Sequence, residues 1–253
     1  MRLASLCPSL TELAFLLGRG DDVIAITTYC EEPADRVTDI ETIGGTKDPD
    51  TDRLVALAPD LVLLNREENR REDADALAAA GLALHVSYPR TVEDARDLVL
   101  DLGRVLDADA AARELTGAID AEIAAHGLPT DPVPFAYLIW RKPFMAADSA
   151  SYVSAVCERV GGRNVFAAAP GAEAGYPSFD AAELAALDPA VVLLSSEPFP
   201  FAEKHRFELA EATGLPLERF VLADGKDLSW HGSRTAAGLR EARRCLWRTI
   251  DAR

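Results

Sequence analysis

The sequence predicts an α/β protein with two lobes, each built on a parallel sheet, joined by a single long helix. Short apolar runs typical of strands alternate with amphipathic helical stretches. One long helical pattern interrupts this alternation, which resumes after a proline-rich segment. The 253 residues suffice for two such lobes. The predicted boundaries are 1–106 for the N-terminal lobe, 107–127 for the connecting helix and 128–253 for the C-terminal lobe.

Apolar runs and helical spacing define the elements of the first half. The predicted strands are Leu3–Leu6, Val23–Thr27, Leu61–Leu64 and Leu82–Ser87. The predicted helices are Leu10–Leu17, Thr51–Ala58, Asn69–Ala80 and one that opens at Thr91. That last helix carries an apolar stripe from Val92 to Leu106.

The connecting helix is predicted from Asp107 to about Ala125, and Gly117 is the only glycine or proline in it. In the second half the predicted strands are Phe135–Ile139, Ala190–Leu194 and Phe220–Ala223. The predicted helices are Ser151–Val160, Asp180–Leu187, Ala202–Thr213 and Ser233–Thr249. Segments Ala56–Leu64 and Ala186–Leu194 share a helix end, a proline and an apolar strand, which favours duplicated lobes.

Composition excludes several classes of protein. A net charge of −16 argues against nucleic acid or an anionic membrane as partner, because phosphates are bound by surplus Lys and Arg. No apolar run reaches the length of a membrane-spanning helix. The four cysteines, at 7, 30, 157 and 245, show no CxxC spacing.

Residues directly after the predicted strands form the candidate site, since open parallel sheets bind ligands at the carboxyl ends of their strands. In the first lobe these candidates are Pro8, Ser9, Tyr29, Gly45, Thr46, Lys47, Arg66 and Arg90. In the second lobe they are Trp140, Arg141, Phe199, Trp230, His231 and Arg234. Aromatic and cationic residues gathered there, in an acidic chain, predict a bulky, flat or anionic small molecule.

Motifs of common enzymes are missing from the sequence. It has no GxGxxG after a strand, no Walker loop, no GxSxG and no HExxH, so we predict no catalytic residue and no resident cofactor or metal. Cys7 and Cys30 end neighbouring predicted strands, where they form either free thiols or a disulfide or soft-metal site. His231 is the only histidine predicted in a loop that suits a ligand contact, whereas His85 lies inside a strand.

Several motifs resemble one known family over essentially the whole chain. Ser5–Glu12 resembles the S-L-x-P-S-x-T-E opening of the class III, or helical-backbone, substrate-binding proteins of ABC importers for vitamin B12, ferric siderophores and haem. Further matching segments, in order, are Thr28-Tyr29-Cys30 followed by Pro33, Gly44–Lys47, Leu57–Val62 and Gly161–Phe166. The resemblance is closest to the cobalamin-binding branch.

The resemblance implies two Rossmann-like lobes that clamp a ligand between them with little hinge closure. It implies cleft contacts from Pro8, Ser9, Tyr29, Gly45 and Thr46, and from Trp140 and the Trp230 loop. It also implies docking of acidic surface residues on an ABC permease. We expect a monomeric, non-enzymatic protein that binds a corrinoid for import.

Two alternatives remain open from the residues. A ferric siderophore or haem carries more negative charge than cobalamin and would suit Arg66, Arg90, Arg141 and Arg234. A chelatase-like enzyme or a cytoplasmic carrier of a corrinoid or another metal complex would use the same lobes, with Cys7, Cys30 and His231 as ligands in the enzyme. Met1-Arg2 leads directly into a predicted strand without the regions of a secretion signal. The family's usual location is extracytoplasmic, and a native start at Met1 would instead indicate the cytoplasm.

Overall fold

The computed structural model describes residues 1–125 and 130–247. The chain packs as two compact units: the first contains Met1–Pro89 and Glu93–Gly117, and the second contains Arg90–Val92 and the chain from Ala118 onward. The division between them therefore falls inside the helix predicted from Asp107. The predicted end of that helix at His126-Gly127, and the last residues of the predicted C-terminal helix, lie outside the described residues.

A five-stranded parallel sheet forms the centre of the first unit. Its strands are β1 (Leu3–Ser5), β2 (Val23–Ile26), β3 (Glu41–Thr42), β4 (Leu61–Asn65) and β5 (Leu84–Ser87). They lie in the order β3-β2-β1-β4-β5. Four of the five confirm predicted strands. The fifth, β3, was missed because its two residues carry no apolar side chain.

Helices cover both faces of this sheet, as expected for an α/β unit. They are α1 (Pro8–Leu16), α2 (Thr51–Leu57), α3 (Arg71–Ala79), α4 (Val92–Val105) and the first part of α5 (Asp109–Ala124). Alternate strand residues point to opposite faces. Leu3 accordingly packs in one core cluster with Val99 of α4, and Ala4 packs in the other with Leu54 of α2 and Leu77 of α3.

Asp107 separates α4 from α5. The sequence predicts it as the first residue of the connecting helix, but its φ of +51° is left-handed and it lies before α5 begins at Asp109. The chain turns here through a hydrogen bond from the amide of Ala108 to the carbonyl of Gly103, 2.7 Å long.

The second unit contains a six-stranded mixed sheet. Its strands are β6 (Val133–Arg141), β7 (Phe144–Ala147), β8 (Gly162–Asn164), β9 (Ser178–Phe179), β10 (Val191–Ser195) and β11 (Phe220–Ala223). The order is β11-β10-β6-β7-β9, with β8 also paired to β6. Strand β7 is antiparallel to β6 and to β9, whereas β8, β10 and β11 run parallel to their partners.

The three strands predicted for this unit, β6, β10 and β11, are parallel as expected, and the additional antiparallel strand β7 makes the sheet mixed. The chain reverses at Lys142-Pro143 and returns as β7, and a short connection of this kind can only join antiparallel strands. Strand β6 also continues beyond its predicted end. Trp140 and Arg141 consequently lie within β6 and not in a loop after it.

The helices of the second unit are the remainder of α5 with α6 (Tyr152–Arg159), α7 (Ala181–Leu187), α8 (Glu203–Thr213), α9 (Gly225–Ser229) and α10 (Thr235–Trp247). The predicted capping box of α7 is confirmed: Asp180 Oδ1 accepts from the Glu183 amide at 2.9 Å, and Glu183 Oε2 accepts from the Asp180 amide at 2.8 Å. The short α9 lies in a segment predicted as loop. No helix among the described residues is long and apolar enough to span a membrane.

Candidate ligand-binding surfaces

The carboxyl ends of the five strands bring the predicted site residues of the first unit to one edge of its sheet. Pro8 starts α1 directly after β1, and Tyr29 follows β2. Gly45, Thr46 and Lys47 follow β3, and Arg66 follows β4. Ser9 and Thr46 are buried, whereas Tyr29, Lys47 and Arg66 are exposed. This edge therefore combines buried hydroxyls with exposed aromatic and cationic groups.

Tyr29 offers the largest open aromatic surface of this edge, with 62% of the residue exposed. Gly45 lies directly against it: a Cβ built at Gly45 would come within 3.3 Å of Tyr29 Cε2 and 2.3 Å of Asp48 Oδ1. A larger residue at position 45 would therefore displace the Asp48 carboxylate or press on the tyrosine ring.

The cations of the first edge contact neighbouring groups. The Lys47 ammonium donates to the carbonyl of Glu67. Surrounding protein raises the pKa of the Glu68 carboxyl, and Lys47 partly offsets this by lowering it. The Arg66 guanidinium lies over the ring of Tyr88, with 4.8 Å from Cζ to the ring centroid.

Cys7 and Cys30 are buried free thiols in a hydroxyl network beneath this edge. Thr11 Oγ1 donates to Cys30 Sγ at 3.1 Å, and Cys7 Sγ lies 3.3 Å from Ser9 Oγ. Burial raises the pKa of Cys7 to about 12 and also raises that of Cys30. Both thiols are therefore protonated near neutral pH, which makes them weak nucleophiles. Among residues 1–125 and 130–247, no group of three or more His, Cys, Asp or Glu is placed to hold a metal ion.

Trp140 is the exposed aromatic residue at the corresponding edge of the second unit. It is 40% exposed, and its ring meets Phe199 edge-on with 6.0 Å between centroids. Phe199 in turn packs on Phe201 at 4.8 Å and on His205 at 5.2 Å. The structure therefore brings Trp140 and Phe199 together and supports the tryptophan from one side.

Three candidate arginines that pack with the second unit are held by a carboxylate or a carbonyl. Arg141 forms a forked ion pair with Glu208: its Nη2 lies 2.6 Å from each carboxylate oxygen, and its Nε lies 3.2 Å from Oε2. Arg234 donates to Asp227 Oδ1 at 3.1 Å. Arg90, which packs with this unit, donates to the Ala172 carbonyl at 2.6 Å.

Trp230 occupies a closed environment. It is 7% exposed, and its indole N–H donates to Glu197 Oε1 at 2.8 Å. Lys226 Nζ and Arg234 Cζ lie over the ring, 5.3 Å and 5.1 Å from its centroid. The predicted contact between this ring and a ligand remains a prediction. In this conformation the Trp230 ring packs against the two cations, and its hydrogen bond to Glu197 connects the segment after β11 with the loop after β10.

His231 is buried against Tyr152, with the two rings edge-to-face at 5.9 Å. Burial lowers the pKa of His231 to about 4, so its imidazole is neutral at pH 7. The Tyr152 hydroxyl lies 2.8 Å from Thr235 Oγ1. His231 therefore adds no positive charge to this edge near neutral pH.

Sequence reasoning missed the polar residues that hold these side chains. Glu208 accepts hydrogen bonds from Arg141, and Glu197 accepts one from the Trp230 indole. In the first unit, Asn69 joins three strand ends. Asn69 has one visible signal in the sequence, since it follows a predicted strand end within five residues. Glu197 has the same signal, three residues after the predicted strand Ala190–Leu194, but Glu208 has none, because its contact depends on how helix α8 packs.

With two Rossmann-like units and loops at their strand ends, the chain has the architecture of a two-lobed substrate-binding protein. Residues 3–212 match the family described as Periplasmic binding protein, and the chain belongs to that family.

Its curated relatives include vitamin B12-binding proteins of several bacteria. That of Photorhabdus laumondii is 28% identical over 202 residues, covering 77% of this chain and 70% of the relative. That of Vibrio parahaemolyticus is 28% identical over 200 residues with the same coverage.

Solved structures confirm the fold. The periplasmic vitamin B12-binding protein BtuF of Vibrio cholerae aligns with a TM-score of 0.80 at 20% identity, covering 98% of this chain and 97% of that one. The periplasmic heme-binding protein RhuT of Roseiflexus sp. RS-1 aligns with a TM-score of 0.82 at 21% identity, covering 98% of each chain.

Proposed function

We propose that this chain binds a corrinoid through the strand-end surfaces of its units and delivers it to an ABC-type permease. The vitamin B12-binding relatives support this ligand class, and family membership supports a role in transport. The exposed rings of Tyr29 and Trp140 supply flat apolar surface of the kind that packs against a corrin ring.

The pairing of Arg141 with Glu208 and of Arg234 with Asp227 is the observation that favours a corrinoid over a strongly anionic ligand. A guanidinium already bonded to a carboxylate attracts a second anion less strongly. A corrin ring carries amide side chains, which need hydrogen-bond partners more than they need opposite charge. These surfaces therefore suit a ligand of low net charge.

Haem or a ferric siderophore is the second candidate. It is favoured by Arg66, whose exposed guanidinium lies over Tyr88 where the carboxylates of such a ligand could contact it. Titration of the same protein with both ligand classes decides between the candidates.

Calorimetric titration with cyanocobalamin, dicyanocobinamide, haem and a ferric hydroxamate tests the proposal. We expect the corrinoids to bind most tightly and Trp140→Ala to weaken that binding by roughly 1–3 kcal/mol, as for other aromatic residues at binding hot spots. Trp247→Phe is the matched control, because the Trp247 indole donates to the Val160 carbonyl in the packing of α10.

Tighter binding of haem or the ferric complex would favour the second candidate. No binding of any of the four ligands would overturn the proposal, and so would equal affinity losses in the Trp140 and Trp247 variants.

A location outside the cytoplasm, a monomeric state and the absence of catalysis belong to the same proposal. A chelatase-like enzyme or cytoplasmic carrier predicts the opposite location, and the enzyme also predicts bound metal that Cys7→Ser removes. Fractionation of the native host, light scattering and metal analysis of the purified protein separate these possibilities.

A further inference from the structure

We infer that Asn69 is the positioning residue of the first unit's ligand-binding surface and holds the Gly44–Lys47 loop in its binding shape before a ligand arrives. This inference rests on the proposed corrinoid-binding function. Asn69 is itself buried, with 7% exposed, and is not among the residues predicted to touch the ligand.

The Asn69 amide joins three strand ends at once. Its Nδ2 donates to the carbonyl of Leu6 at 2.9 Å and to the carbonyl of Thr46 at 3.0 Å. Its Oδ1 accepts from the backbone amide of Asn65 at 2.8 Å. Leu6 follows β1, Thr46 lies in the loop after β3, and Asn65 ends β4. One side chain thus ties the loop after β3 to the ends of β1 and β4, two strands with which β3 does not pair.

Asn65 extends this network to the last strand of the sheet. Its Oδ1 accepts from the amides of Glu67 at 2.9 Å and Glu68 at 3.2 Å, and its Nδ2 lies 3.3 Å from the Ser87 carbonyl at the end of β5. The Glu67 carbonyl in turn accepts from the Lys47 ammonium. The network therefore fixes both the backbone of Thr46 and the side chain of Lys47.

Preorganisation gives this network a role in binding as well as in folding. A loop that is already ordered loses less conformational freedom when the ligand binds, so more of the contact energy is retained as affinity. An asparagine suits the position because its amide supplies two N–H donors and an acceptor, whereas aspartate keeps the acceptor and loses both donors.

Asn69→Asp separates this role from general stability, and Asn164→Asp is its matched control in the second unit. Asn164 is also buried, with 4% exposed, and its Nδ2 donates to the Ala147 carbonyl at 2.9 Å and to Ser154 Oγ at 2.6 Å. Its Oδ1 accepts from the Phe166 amide at 2.9 Å. Each substitution therefore removes two N–H donor bonds from its own unit and keeps the acceptor oxygen.

Amide hydrogen exchange and cyanocobalamin titration are measured on both variants. We expect Asn69→Asp to speed exchange in residues 44–47 and to weaken binding by about tenfold. Asn164→Asp should leave exchange in 44–47 unchanged and alter affinity by less than about twofold. Asn69→Ala removes the two donor bonds and also the acceptor bond to the Asn65 amide, without adding charge. It should show both effects if the aspartate variant does not fold.

Unchanged exchange in residues 44–47 in the Asn69 variants would overturn the inference, as would equal losses of affinity at Asn69 and Asn164. If the wild-type protein binds no corrinoid, the proposed function is wrong. The exchange comparison still decides in that case whether Asn69 orders the loop.

Discussion

At the scale of single residues, burial of His231 links the stability of the protein to pH. The folded protein holds this imidazole with a pKa of about 4, below the 6.5 expected for an unfolded chain. Between these values the unfolded state binds more protons than the folded state, so protonation favours unfolding. The free energy of unfolding therefore keeps its full value with respect to His231 above pH 6.5 and decreases as pH falls towards 4.

We expect His231 to contribute about 3 kcal/mol to the loss of unfolding free energy on acidification, from the difference between its two pKa values. Urea unfolding at several pH values between 7 and 4 measures this loss in the wild type and in His231→Gln. Other titrating groups are common to both proteins, so the difference between their pH profiles isolates His231. Parallel profiles would contradict the assignment.

Trp140 and Trp230 show how much of the site the sequence reveals. The strand pattern predicts Trp140 directly after a strand and Trp230 in a loop. The structure places Trp140 inside β6, one residue before its end, and Trp230 directly after α9. Their exposure does not follow from the strand pattern, because Glu197, Lys226 and Arg234 surround Trp230 through tertiary contacts between two loops. Periodicity locates a residue on an element, but it carries no information on what packs against the residue from elsewhere.

At the scale of elements, the two halves of α5 belong to different units. Gly117 is the last residue of the first and Ala118 begins the second. In the second unit, Glu122 fixes the end of α5 to α10 through Arg240 at 2.8 Å and Arg243 at 3.1 Å. Burial opposes ionisation of Glu122, but the two arginines outweigh it and lower the pKa of its carboxyl.

Gly117→Ala should raise the unfolding free energy by up to about 1 kcal/mol, the difference in helix propensity between the two residues. A Cβ at Gly117 meets nothing within 4 Å, so the substitution costs no packing. Chemical denaturation of the wild type and the variant measures the change.

Gly103→Ala is the contrasting variant in α4. Its Cβ would lie 2.4 Å from the Cβ of Ala112 on α5, and we expect destabilisation by about 1–3 kcal/mol from overpacking. A loss of stability in Gly117→Ala, or none in Gly103→Ala, would show that the helix contacts differ from those described.

Most elements could be predicted because each carries a strong local signal. The strand Val191–Ser195 is wholly buried and its first four residues are apolar, and Asp180 with Glu183 marks the start of α7. Strands β7, β8 and β9 of the second unit were missed. Strand β9 has two residues, β8 has three with no large apolar side chain, and β7 follows β6 after a single tight reversal. Short elements of this kind are stabilised by their neighbours in the sheet and leave little periodicity.

At the scale of the whole molecule, the charge of −16 sets a field that repels anions. Arg141 and Arg234 at the candidate surfaces are paired with carboxylates, so they do little to make the local electrostatic potential positive. We therefore expect affinity for cyanocobalamin to change by less than about twofold between about 50 mM and about 500 mM NaCl, because salt screens only interactions between charges.

Calorimetry at the two salt concentrations checks this expectation, with haem as the comparison ligand. A steep fall in corrinoid affinity with salt would show that charge attraction dominates binding and would point to unpaired cations at the site.

Short outer strands also bear on how the protein behaves at high concentration. Among the described residues, the edge strands of the first sheet are β3, with two residues, and β5, with four. Those of the second sheet are β9, with two residues, and β11, with four. An edge this short presents few unpaired amides and carbonyls on which a strand from another molecule can form a ladder. The short edges thereby limit edge-to-edge aggregation of this protein.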